Sequence, residues 1–347
     1  MAKAFFFCIP IIWKLWYTLG KRKISCVNTG ITMKRNLEYT ATLTDSGRTV
    51  KDILRMDFQL SARQISRAKF MENGIVVNGE EVTVRRVLRA GDHLVVRLED
   101  HEAGSHQLIP QPGELDIRYE DQDLILINKP AGLVIHPSPG HYADSLANIL
   151  VWHYGQQGEH IVVRPVGRLD RETSGLIYIA KNKAAVRKME LQRLSGEMER
   201  HYLALVHGCP AQDEGIIEAP IGPDPTVWMK QQVCETGATA KTAYWVRERF
   251  NGYSLVELKL YTGRTHQIRV HMAWLGYPLL GDGMYGKGVT EDEGRTESRT
   301  ETEFGMERTA LHSWRLLCTQ PFSGERLEFI CELPEDMMRL VGQGHGL

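Results

Sequence analysis

Periodic and alternating apolar positions divide the chain into regions of different character. Asp52-Ile53-Leu54 opens an apolar-periodic stretch, and 60–70 continues it. There Ser61 is a natural helix N-cap, and Ile65, Ala68 and Phe70 form a partly apolar face. Ile75-Val76-Val77 reads as a strand running into Asn78-Gly79. That pair predicts a two-residue hairpin turn, because both residues tolerate the left-handed backbone it needs. A further strand is expected over 93–97, after Gly91-Asp92. Residues 99–113 are polar and rich in breakers, which marks a linker. From 114 to about 340, strands and helices alternate without a sustained βαβ rhythm. The class expected is therefore α+β: a small N-terminal domain over 48–98, then a larger domain over 114–340 on a mixed, largely antiparallel sheet.

Two segments stand outside this pattern. Residues 4–20 are rich in Phe, Ile, Trp and Leu, but Pro10 and Lys14 interrupt them. The run is shorter than the roughly 20 apolar residues a membrane span needs. Ordinary soluble composition begins at Met33. Residues 1–47 are read as an N-terminal extension, with 1–32 a translated leader or disordered segment and Met33 the true start. Residues 290–307 hold seven acidic side chains and two arginines. Such composition cannot bury a core, so 288–307 is expected to be a flexible acidic loop that points away from any RNA.

The 347 residues fit about two domains. The formal net charge of −1 announces no nucleic-acid partner. Locally the picture differs. Residues 48–98 carry ten basic and six acidic side chains, a balance of +4. Arg63, Arg67 and Lys69 decorate one helix there, which suits contact with an RNA backbone. The bland alternative is a solvated basic face. The six cysteines form no Cys-x-x-Cys pair and no zinc spacing, which points to unpaired thiols in a reducing, cytoplasmic setting. No metal site, phosphate loop or dinucleotide fingerprint is seen, so no cofactor is expected. Oligomeric state is unreadable, with monomer the default.

Two motifs carry candidate chemistry. The first is 168–175, Arg-Leu-Asp-Arg-Glu-Thr-Ser-Gly, between the β-like runs 161–163 and 176–179. It reads as an exposed turn presenting Asp170 beside Arg168 and Arg171. Such a carboxylate could attack an electrophilic carbon or take a proton. Alone, it would equally suit an Asx-type turn with a surface ion pair. The second is 260–272, where Gly263 ends a strand and Thr265 is placed to cap a helix with Ile268, Met272 and Leu275 on its apolar face. Gly276 would stop that helix. Arg264 would then sit at the helix mouth, where dipole and guanidinium both attract a phosphate or carboxylate.

Together these motifs, with 128–137 (Asn-Lys-Pro-Ala-Gly-Leu-Val-Ile-His-Pro) and 200–206 (Arg-His-Tyr-Leu-Ala-Leu-Val), resemble the RluA-type pseudouridine synthases. That branch modifies large-subunit ribosomal RNA and some transfer RNA. The resemblance covers nearly all of 48–340, and 48–98 resembles an S4-type RNA-binding domain. It implies isomerisation of uridine to pseudouridine, without metal or cofactor, on ribosomal RNA in preference to transfer RNA. It implies Asp170 as the catalytic carboxylate, held ionised and aimed by Arg264. Tyr202 would stack on the uracil and help move the proton at its C5. Arg168 would fill the space left by a flipped-out uridine, Ile268 would line the base pocket, and Arg269 would join the RNA-binding residues. The turn over 128–137 would pack under the site. One departure is Gly167, where the family commonly has His. The rival class is a non-catalytic RNA-binding or ribosome-assembly factor that keeps the fold.

Overall fold

The computed structural model describes residues 34–99, 108–286 and 303–344. The expected leader, most of the linker and most of the acidic loop lie outside these residues.

The N-terminal unit is a four-stranded antiparallel sheet in the order β1-β4-β2-β3. Its strands are β1 (Lys34–Thr40), β2 (Ile75–Val77), β3 (Glu80–Glu81) and β4 (His93–Glu99). β1 pairs with β4 along its whole length, so the unit begins at Lys34 and takes in residues that composition had assigned to the extension. The Asn78-Gly79 turn forms as expected, with φ of 53° and 85°. The Asn78 side chain then ties the turn to the start of β4, donating to Asp92 (2.8 Å) and accepting from the His93 amide (2.8 Å). Helix α1 (Ala62–Lys69) starts at Ser61 in a reciprocal capping box with Gln64. Ile65 and Ala68 are buried, but Phe70 is 87% exposed. The helix ends at Lys69, and the next residue turns its ring outward instead of continuing the apolar face.

The large sheet has ten strands: β5 (Ile117–Glu120), β6 (Leu124–Lys129), β7 (Arg164–Pro165), β8 (Ser174–Ala180), β9 (Glu199–His207), β10 (Glu214–Glu218), β13 (Lys241–Arg249), β14 (Tyr253–Leu260), β15 (Leu311–Thr319) and β16 (Arg326–Ile330). Between β10 and β13, β11 (Ile221–Pro223) and β12 (Gln231–Val233) form a separate hairpin. The order is β10-β13-β14-β9-β15-β8-β6-β5, with β16 on β15 and β7 on β8. β8 and β15 pair in parallel; the other pairs are antiparallel. This matches the mixed, largely antiparallel sheet expected.

All seven residues of β8 are buried, so the sheet is covered on both faces. Ile177 and Ile179 pack with α2 (Leu146–Gln156) and α4 (Gln267–Trp274). Leu176, Tyr178 and Ala180 pack on the other side with α3 (Lys183–Ser195). A last helix, α5 (Glu335–Gly344), closes the C-terminal side. The N-terminal core packs against Ala184 of α3 and Phe322 of the β15–β16 turn. Lys188 Nζ bridges there, donating to the carbonyls of Asp57 (3.2 Å) and Pro321 (2.9 Å).

The parallel seam lies at the end of the 168–175 motif, where Ser174 faces His312 and Gly175 faces Ser313. Gly175 has φ +106°, and a methyl group there would stand 2.2 Å from the Ser313 carbonyl oxygen. Only glycine fits both the backbone and the contact. Ser174 Oγ and His312 Nδ1 are 2.9 Å apart in the buried seam. Among the described residues, no helix is long and apolar enough to cross a membrane.

Burial pushes the His312 imidazole down to about 4. Its folded value therefore lies below its ordinary value, so the unfolded chain binds more protons between them. The stability that neutral His312 carries is full above about pH 6.5 and is lost as pH falls to about 4, a loss of about 3 kcal/mol. Urea titrations at pH 7 and pH 4.5 should show this loss in the wild type and a smaller one in His312→Gln.

Candidate active site

The loop from Gly167 to Thr173 connects β7 to β8 and carries Asp170 at its crest. A turn bond from the Thr173 amide to the Asp170 carbonyl (3.1 Å) sets its local shape. Gly167 enters this loop at φ +81°, a region glycine occupies without strain.

Two cations hold the loop backbone from behind. Lys129, at 0% exposure, donates its three ammonium hydrogens to the carbonyls of Pro130 (2.8 Å), Leu133 (2.8 Å) and Arg171 (3.1 Å). Its donors are therefore all used. Arg308 Nη1 donates to the carbonyls of Glu172 (3.1 Å) and Thr309 (2.9 Å), while Asp336 accepts from its Nε and Nη2 (2.6 and 2.9 Å). Consecutive carbonyls of the loop are thus gripped by two different side chains. The turn over 128–137 does lie beneath the site, as expected. Burial pushes Lys129 down to about 7, against the pull of Glu172 and Asp170.

In front, Asp170 meets Arg269. Arg269 Nη1 is 3.5 Å from Asp170 Oδ2, and His266 Nε2 is 3.9 Å from the same oxygen. Arg269 is itself fixed by a two-pronged pair with Asp282, Nε to Oδ2 at 2.7 Å and Nη2 to Oδ1 at 2.8 Å. The Tyr285 ring lies 5.0 Å from its guanidinium carbon. Asp282 also accepts from the amides of Met284 (3.0 Å) and Tyr285 (3.1 Å). Burial opposes the Arg269 charge, and Asp282 outweighs it and holds the guanidinium well above its ordinary value. His266 is pushed down, mainly by burial, and its Nδ1 lies 3.0 Å from the Tyr285 hydroxyl.

Here the geometry corrects the motif reading. Arg264 does not pair with Asp170; its Nε donates to the Thr239 carbonyl (3.0 Å) on the exposed side. Nor does Thr265 cap the helix. The cap is His266, in left-handed conformation (φ 56°, ψ 20°). The Gln267 side chain ties the entry, accepting from Thr262 Oγ1 (2.8 Å) and the Arg264 amide (2.9 Å) and donating to the Lys241 carbonyl (3.0 Å). This twist swings Arg264 outward and turns Arg269, two residues into α4, toward Asp170.

Tyr202 and Ile268 share the core cluster on the α4 face of the sheet, each 4% exposed. Burial pushes the Tyr202 hydroxyl up, Arg200 opposes and Asp170 adds, so it stays protonated as a potential donor. Arg168 is exposed and lines a cleft with Gly167, Leu169, Arg200 and Tyr202. Arg63 and Lys69 are exposed on α1 of the N-terminal unit, with Arg67 half-buried. Asp282, Tyr285 and Arg308 escaped the motif reading, whereas Lys129 lay within the 128–137 motif without a role of its own. The Gly-Asp-Gly turn at 281–283 was a visible signal for Asp282, whereas nothing marked Arg308.

Residues 123–274 match the family model described as RNA pseudouridylate synthase. A human structure, RNA Pseudouridylate Synthase Domain Containing 4, shares the fold with a TM-score of 0.53 at 24% identity, over 66% of this chain and 92% of its own. An uncharacterized RNA pseudouridine synthase of Bacillus subtilis, YlyB, is 41% identical over 270 residues, 77% of this chain and 84% of its own. The ribosomal large subunit pseudouridine synthase D of Vibrio cholerae is 36% identical over 314 residues, 89% and 95% of the two chains. The chain therefore belongs to the RluA-type family of RNA pseudouridine synthases, which are isomerases.

Replacing Arg269 by Ala leaves Asp282, whose side chain is 0% exposed, with an uncompensated charge. It should cost about 3–5 kcal/mol in stability and roughly 100-fold in turnover through misplacement of Asp170. Arg264→Ala should change stability by less than about 0.5 kcal/mol. Thermal unfolding and single-turnover kinetics on the pair would reverse this assignment if Arg264 proved the more sensitive. Lys129→Met strands buried carbonyls and should lower stability by about 3 kcal/mol, read from urea unfolding.

Proposed function

We propose that the protein converts specific uridines of large-subunit ribosomal RNA to pseudouridine, with Asp170 as the catalytic carboxylate. The observation that carries this reading is the half-exposed Asp170, on a loop held from behind by Lys129 and Arg308 and faced by Arg269. The substrate follows the Vibrio cholerae relative, which is named for the ribosomal large subunit and aligns over most of both chains.

The target base leaves the stack at a cost of a few kcal/mol, which favours loops. The bond from C1′ to N1 breaks, the uracil turns within the pocket, and a bond from C1′ to C5 forms. The C5 proton leaves and N1 gains one, so atoms and charge balance without a redox partner. Asp170 starts the sequence by adding to the ring, adding to the ribose or removing a ribose proton, and each route needs its ionised form. Arg269 supplies the opposing charge. Tyr202 and Ile268 form the apolar floor on which the uracil turns, and Arg168 fills the stack it leaves. Excluding water keeps free uracil from escaping.

The N-terminal unit serves as an S4-like RNA-binding module. Its support is the +4 balance over 48–98, with Arg63, Arg67 and Lys69 along α1. The protein acts as a cytoplasmic monomer without a cofactor.

The test uses unmodified large-subunit ribosomal RNA with wild type beside Asp170→Asn, pseudouridines being mapped by chemical modification and primer extension. New stops with the wild type that vanish with Asn are expected. Stops on transfer RNA alone would overturn the substrate, and binding without stops on either RNA would favour a non-catalytic factor.

A further inference from the structure

Beside the catalytic loop lies a pair of arginines for which the chemistry at Asp170 has no use. Arg200 is on β9 two residues before Tyr202, so both side chains leave the same face of the strand. It is 8% exposed and lines the cleft formed with Gly167, Arg168, Leu169 and Tyr202. Its Nη2 donates to the Thr262 carbonyl at 3.0 Å, but its buried Nε has no partner. A buried guanidinium nitrogen without an acceptor keeps a desolvation cost that no hydrogen bond offsets.

Arg193, from α3, approaches the same place. Its Nε and Nη2 are taken by Glu190 (2.8 and 2.6 Å). A methyl group on Gly263 would stand 3.0 Å from Nη1 of Arg200 and 3.4 Å from Nη1 of Arg193. Two like charges therefore converge on an exposed glycine of the 260–272 motif. Burial is the main thing disfavouring the Arg200 charge, and Arg193 adds to it. An anion between them would offset both effects, beyond the partial compensation that Glu190 already gives.

We infer that Arg200 and Arg193 form a phosphate-binding subsite that grips the RNA backbone beside the flipped uridine. The inference rests on the reading of this cleft as the RNA site. The guanidinium fork suits phosphate oxygens, and RNA brings a phosphate with every nucleotide. Gly263 keeps the approach open, since any side chain there would fill the space above both guanidiniums. The subsite anchors the strand beside the target while Arg168, on the same cleft, enters the stack.

The test is the salt dependence of binding to a fluorescein-labelled uridine-rich stem-loop RNA, for wild type, Arg200→Gln, Arg200→Lys and Arg193→Gln. Each Gln variant is expected to reduce the slope of log Kd against log [KCl] by about 0.7–1, the signature of one lost phosphate contact. Arg200→Lys should retain the slope while weakening binding several-fold. In turnover, the loss should fall on KM more than on kcat. An unchanged slope in both Gln variants would overturn the subsite, as would a loss confined to kcat, which would mean that Arg200 touches the base. Should Arg200→Gln fail to fold, Arg193→Gln decides by the same slope. Binding slopes are read without turnover, so reduced slopes in the Gln variants beside a wild type that makes no pseudouridine would overturn the proposed reaction and leave the subsite standing.

Discussion

The site depends on holding one loop backbone still from inside the protein. Asp170 must face outward from that loop, and it needs a fixed direction. A fixed direction for a half-exposed side chain requires a fixed main chain. Lys129 and Arg308 provide it by binding the adjacent carbonyls of Arg171 and Glu172. Both cations would be costly to bury alone. Lys129 offsets the cost with three carbonyl acceptors, and Arg308 with Asp336 and the carbonyls of Glu172, Thr309 and Leu311. The parallel seam of β8 and β15 completes the brace, with the Ser313 hydroxyl donating to the Leu176 carbonyl at 3.0 Å.

In front of the loop the same logic operates with charges. The Arg269–Asp170 contact is long, whereas Arg269–Asp282 is short and two-pronged. The arginine therefore belongs structurally to Asp282 and offers its remaining nitrogen to Asp170. A buried pair of this kind contributes placement more than net stability. Tyr285 joins the two sides, stacking on Arg269 and meeting His266, while the Gln231 amide donates to its hydroxyl at 2.8 Å. The β11–β12 hairpin is thereby coupled to the site.

Local signals in the chain were read correctly where the structure is local. Ser61 capped its helix, Asn78-Gly79 made its turn, and the lack of βαβ rhythm foretold a mixed sheet. The motif around Asp170 announced an exposed carboxylate on a turn, because Gly, Thr, Ser and charged residues between two apolar runs leave little else. The errors have physical causes too. Phe70 fitted the apolar face by spacing, but its helix had already ended. β1 was missed because 34–40 is polar, and its strand exists through pairing with β4 and not through an apolar pattern.

The arginine at Asp170 marks the boundary between the two kinds of information. The sequence by itself determined that a basic motif with two arginines would accompany the carboxylate, and that the chain belonged with enzymes that carry such a pair. Only the tertiary structure decided which arginine faces Asp170. That choice turns on the left-handed His266, which Tyr285 braces, and on Gln267, which binds strand and loop together. These contacts span up to 26 residues, so spacing within the motif carried no trace of them. The same holds for Arg308, 136 residues from the carbonyl it grips. Side-chain type is written locally, but which charge meets which backbone group is settled when the sheet closes.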